Sequence, residues 1–159
     1  MKLRDAVEKA KEKFKYLKHS GFYLISGLTI AETIDAKSIS YWKLHFLNPQ
    51  KNEIITINVN KEAKIEGTSA AIKKAKEIDV NQLKITAIAA INNIKKKYPK
   101  IKTKKIIIIG RFDSELKKHV WTVNILLYPT AVINSFDIDG KNGQILTKRE
   151  LSIFNSLAS

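Results

Sequence analysis

The sequence predicts an α+β protein made of two tandem units, each one long helix packed on an antiparallel sheet. Three observations predict it. Apolar residues recur at helical spacing twice, over 3–17 and 83–98. Each stripe is followed by stretches that alternate apolar and polar residues, the mark of half-buried strands. The order helix, strand, tryptophan-bearing strand, turn, strand then recurs at an interval of about 80 residues, and such internal periodicity bears on the whole fold. An antiparallel meander has one apolar face, and a single amphipathic helix laid across it closes a two-layer core.

The first helix rests on Leu3, Val7, Ala10, Phe14 and Leu17, with Lys9, Glu12, Lys13 and Lys15 opposite, and Gly21 as its stop. Phe22–Ile30 is rich in aromatic and β-branched residues. Ile39–Leu47 places Trp42, Leu44 and Phe46 on one face, and Ile54–Val59 places Ile55, Ile57 and Val59 together. Asn48-Pro49-Gln50-Lys51-Asn52 is a hairpin-type turn. Thr68–Glu77 reads as a short connecting helix with Ala71, Ile72 and Ala75 inward.

Asp79 followed by Gln82 fits a capping pair that opens a second long helix. Leu83, Ala87, Ala90, Ile91 and Ile94 form its apolar side, and Pro99 ends it at or before Tyr98. Three strands follow, at Lys105–Ile109, Val120–Leu127 and Val132–Ile138. Asp139-Gly140-Lys141-Asn142-Gly143 makes a tight turn into Gln144-Ile145-Leu146, and Arg149–Ser159 reads as a last helical turn or a frayed tail. The organisation is thus a first unit at 1–67, a connecting helix at 68–78 and a second unit at 79–159.

Between the halves, Leu3, Val7, Ala10 and Phe14 fall on Leu83, Ala87, Ala90 and Ile94. Trp42, Leu44 and Phe46 fall on Trp121, Val123 and Ile125 with a one-residue slip; Ile57 and Val59 fall on Phe136 and Ile138. The two tryptophans of the chain therefore take equivalent places. Over Lys76–Glu150 the second half resembles the PepSY domain. The resemblance is carried by the helix Leu83–Tyr98, the strands Lys105–Ile109 and Val120-Trp121-Thr122-Val123, and a last strand running into Asp139 with Gly143 four residues on. The first half resembles a degenerate copy, with Asn60 in the place of the Asp and Ala63 near that of the Gly. The resemblance implies a tandem, cystatin-like fold in which Trp42, Trp121, Asp139 and Gly143 are structural. It also implies a non-enzymatic module of a kind found in propeptides, proposed to inhibit or tune peptidases and often placed outside the membrane.

Charge is the other strong signal. The chain carries 29 Lys and Arg against 15 Asp and Glu, a net +14, and its only arginines are Arg4, Arg111 and Arg149. Lysine is a hydrated point charge without the planar fork that reads guanine or grips phosphate in two places, so any nucleic-acid contact is with the backbone. Lys95, Lys96, Lys97, Lys100, Lys102, Lys104 and Lys105 run from a helix end through a loop to a strand edge. They form the candidate phosphate- or partner-binding segment, although lysines also complement a helix C-terminus and protect a sheet edge. The partner expected first is another protein; the alternative is a nucleic acid or ribosome contacted without sequence preference.

Catalytic, cofactor and metal residues are expected to be none. No two of His19, His45 and His119 stand at ligand spacing. Asp137-Ile138-Asp139-Gly140 departs from a calcium loop at Lys141. Phosphate-loop and nucleophile-elbow patterns are absent, and Asp113 with Glu115 reads as solvated hairpin chemistry. A cleft between the units leaves an enzyme open as a third reading. The chain has no cysteine, which removes disulfides and thiolate sites together. No apolar run approaches the roughly 18 residues of a membrane helix. As written the chain is expected to be cytoplasmic, and extracytoplasmic if a leader or anchor preceded Met1.

Overall fold

The computed structural model describes residues 1–71, 75–127 and 129–152. The first apolar stripe forms α1 (Leu3–Lys13), which buries Leu3, Ala6, Val7 and Ala10, and a 3-10 turn at Lys15–Lys18 then buries Leu17. Strands β1 (Tyr23–Ala31), β2 (Trp42–Asn48), β3 (Glu53–Val59) and β4 (Ala63–Ala70) follow. The second stripe forms α2 (Ala87–Lys97), followed by β5 (Thr103–Asp113), β6 (Lys118–Leu127), β7 (Val132–Asp139) and β8 (Ile145–Ser152).

These strands make one continuous eight-stranded antiparallel sheet in the order β4-β3-β2-β1-β5-β6-β7-β8. The expected fold class, two tandem cystatin- or PepSY-like helix-plus-sheet units, is therefore corrected. The chain is mostly β, with two helices of 11 residues among those described. The physical reason lies at the seam. Strands β1 and β5 pair from Ser26↔Arg111 to Ala31↔Ile106, so Leu28 meets Ile109 and Ile30 meets Ile107 on the face away from the helices. Held apart, each strand would be a long edge with unpaired backbone groups and an apolar row in water. Pairing removes both edges.

Both helices lie on the other face and share one core. Trp42 and Trp121 approach with ring centroids 5.8 Å apart, and the buried cluster runs continuously from Leu3 to Ile138. Gly27 and Gly110 stand opposite each other at the seam. They have to be small there: a Cβ on Gly27 would overlap Leu3, and one on Gly110 would lie 2.9 Å from Leu3 Cδ2 and 3.0 Å from Trp121 Cζ3. The missing side chains are what let α1 settle over the seam.

Three further expectations change. Thr68–Ala70 belong to β4 rather than to a connecting helix, Ala75–Asp79 are not helical, and Ile72–Lys74 lie outside the described residues. Asp79 caps a separate 3-10 turn, Val80–Gln82, by accepting from the Asn81 N–H at 2.9 Å; the α-helix begins only after Thr86. Arg149–Ser152 are strand rather than helical turn, and 153–159 lie outside the described residues. Both overlooked strands, β4 and β8, are sheet edges, β4 exposed beyond Ala63 and β8 with no fully buried residue, so they lack the apolar alternation by which strands are read.

Candidate functional site

The lysine segment owes its shape to the end of α2. Tyr98 leaves the helical region, its N–H still bonded to the Ile94 carbonyl at 2.8 Å, because Pro99 disfavours helix in the residue before it. The chain folds back, with the Ile101 N–H on the Tyr98 carbonyl at 3.2 Å, and enters β5 at Thr103. This path separates the seven lysines. Lys95 is ion-paired with Asp35. Lys105 projects from the sheet face opposite the buried Ile106, and the side chain of Lys104 lies outside the described residues. Lys96 is exposed on the last turn of α2. Lys97, Lys100 and Lys102 come together around a groove.

The groove has a volume of about 620 Å³ and lies between the α2–β5 loop and the ends of β6 and β7. Tyr98, Pro99, Ile101 and Leu127 form apolar walls, and Asn134 of β7 lines it from within. Asn134 is 5% exposed, and its Oδ1 is buried without a hydrogen-bond partner among the described residues. Thr103, opposite Leu127 in the sheet, likewise has a buried hydroxyl oxygen without a partner. Lys148, far away in sequence, reaches from β8 to lie 4.6 Å from the Tyr98 ring centroid, and the Tyr98 ring packs on Phe136 at 5.5 Å.

Asn134 and Lys148 were not legible as site residues. The available signal was parity: Asn134 falls on the same face of β7 as the buried Phe136 and Ile138, where an apolar residue is the rule.

A second concavity, about 670 Å³, opens where the two helices begin, with Trp42 and Trp121 in its lining. The indole N–H of Trp42 donates to the Met1 carbonyl and that of Trp121 to the Ile85 carbonyl, each at 3.1 Å. Each carbonyl belongs to the residue two before its helix, so the indoles dock the segments that lead into α1 and α2.

Asp139 and Gly143 close the β7–β8 turn. The Gly143 N–H donates to the Asp139 carbonyl at 2.8 Å with Gly143 at φ +77°, and the Gly143 carbonyl accepts from Asn93 of α2 at 2.9 Å. The Asp139 carboxylate accepts from Lys118 Nζ at 2.7 Å, which holds it below the usual carboxylate range although burial pushes it up. On the face away from the helices, Asp137 is 2% exposed and accepts from Thr122, Thr147, Arg111 and Arg149. Its oxygens are thereby committed within the fold, as burial of a carboxylate requires. Among the described residues no three His, Asp or Glu side chains are grouped to hold a metal ion.

No protein-family model and no curated protein matches the chain. Among solved structures the chain is similar to a putative lipoprotein from Clostridium difficile 630, with a TM-score of 0.63 at 13% identity. The likeness covers 95% of this chain and 93% of that one, and it extends to the fold alone. No helix among the described residues is long and apolar enough to cross a membrane.

Proposed function

We propose that the chain is a non-enzymatic binding module that holds an acidic partner protein at the lysine-bordered groove. One observation carries this reading: Lys97 at the end of α2 and Lys100 and Lys102 from the loop after it line a groove with apolar walls, and Lys148 of β8 lies over one of those walls, Tyr98. Concentrated positive potential steers an acidic surface, and the walls give it something to bury. In this reading the partner is met outside the cytoplasmic membrane, a placement supported by the occurrence of the fold in a putative lipoprotein.

A second reading has its own support. Lys96, Lys97, Lys100, Lys102 and Lys105 are all exposed, and such a set contacts phosphates without regard to sequence. The experiment separates the two. Polyglutamate and single-stranded oligonucleotides are titrated at several salt concentrations against the parent and a Lys100→Gln/Lys102→Gln/Lys148→Gln variant. The partner-protein reading expects polyglutamate binding that the triple substitution abolishes. A nucleic-acid site in which these lysines neutralise about five phosphates of a single strand instead loses on the order of a hundredfold between 50 and 200 mM salt. Absence of both kinds of binding removes the segment as a functional surface.

A further inference from the structure

We infer that the groove takes a stretch of polypeptide in which a large apolar side chain is flanked by acidic residues, and that Asn134 bonds the main chain of that peptide. The inference rests on the proposed binding role and names what the groove selects.

Asn134 is the decisive residue. A carboxamide that is 5% exposed is ordinarily bonded on both sides, because a buried polar atom without a partner destabilises the fold. Here Oδ1 has no partner among the described residues, and Asn134 is one of the residues that line the groove. An oxygen in that position needs an N–H or O–H donor. A peptide main chain carries such a donor at nearly every residue, and its carbonyl matches the amide N–H₂ beside it. An acyl chain offers no donor. A nucleobase offers one, but it also calls for a free aromatic face on which to stack. Tyr98 is the aromatic residue of the groove, and its ring is taken up by Lys148 at 4.6 Å and Phe136 at 5.5 Å. The remaining walls, Pro99, Ile101 and Leu127, are aliphatic and suit a buried side chain.

Charge sets the rest of the preference. Lys97, Lys100 and Lys102 line the groove and Lys148 lies over its Tyr98 wall, while Glu150 stands opposite Asn134 on β8 and is exposed. The surplus is positive, and Glu150 opposes it.

The test is selection of short random peptides displayed on phage against the intact chain, followed by fluorescence polarisation of the enriched sequences. Enrichment of a large apolar residue between acidic ones is the expected result. Asn134→Leu should weaken the selected peptides by about tenfold or more while its urea midpoint stays at or above that of the parent, since an unpaired buried amide has been replaced by an apolar group. Glu150→Gln should tighten them. Two failures are distinguishable. If acidic peptides bind and the lysine substitutions release them, but neither the apolar residue nor Asn134 matters, the groove inference falls and the charged surface stands. If no acidic preference emerges at all, the binding role falls with it. A lower urea midpoint for Asn134→Leu with unchanged peptide affinity would make Asn134 a structural residue and overturn its assignment.

Discussion

Trp121 has two tasks in one side chain. Its rings fill the shared core against Trp42, and its N–H holds the Ile85 carbonyl just ahead of α2. Trp121→Phe keeps most of the apolar volume but leaves that carbonyl without its donor. The carbonyl is only partly buried, so the lost bond costs about 1 kcal/mol, and the lost ring volume adds to it. Urea denaturation should therefore show a loss of about 1–2 kcal/mol. Because Trp121 touches Trp42, the Trp42→Phe/Trp121→Phe pair should depart from additivity. A variant as stable as the parent would mean that the indole N–H finds no use in the docking of α2.

At the scale of elements, α2 shows how local chemistry and packing divide the work. Thr86 caps it, its hydroxyl oxygen accepting from the Ala89 N–H at 3.1 Å, while α1 begins at Lys2 without any side-chain cap. Helices this short are marginal alone and depend on their buried faces, here Ala87, Ala90, Ile91 and Ile94. Thr86→Ala should thus cost about 1 kcal/mol without unfolding the chain. Ile91, fully buried, lies on the other side of that division: Ile91→Asp places a charge in the core and should abolish the cooperative transition. A melt of Ile91→Asp within a degree or two of the parent would contradict the inward face assigned to α2. Edge strands explain what the sequence reading missed at this scale. β4 runs Ala-Lys-Ile-Glu-Gly-Thr-Ser-Ala, buried only at Ala63, and its partner β3 is set by backbone bonds rather than by an apolar face of its own.

For the whole molecule, acid is the informative perturbation. The His119 and His45 imidazoles lie below their ordinary 6.5, each mainly through burial, and His119 Nε2 accepts from the Asp79 N–H at 3.1 Å. A group whose value is lowered by folding binds protons more readily in the unfolded chain. Its stabilising contribution is then complete above the ordinary value and is lost as pH falls through the folded one. The urea midpoint should fall first below pH 6.5, from the histidines, and again below the ordinary 3.8 of Asp139, whose carboxylate is held by Lys118. His119→Gln keeps an acceptor for Asp79 without a titration and should flatten part of the first decline. A midpoint constant from neutral pH to 5 would refute the histidine contribution.

The sequence alone determined where the two apolar helices and the six strands with apolar faces lie, that Trp42 and Trp121 lie on inward strand faces, and that the turn after β7 closes on Gly143, but not the edge strands β4 and β8. It also located the lysines. These features are local: periodicity, turn chemistry and side-chain charge are properties of neighbours along the chain. Tertiary structure decided what those elements joined. Backbone hydrogen bonds carry no side-chain identity, so nothing in β1 names β5 as its partner until two apolar rows and two glycines meet across the seam. The same holds for the groove. Lys148 and Asn134 reach Tyr98 and Lys100 only because β7 and β8 extend the sheet beneath the end of α2, and that convergence is a matter of space rather than of spacing.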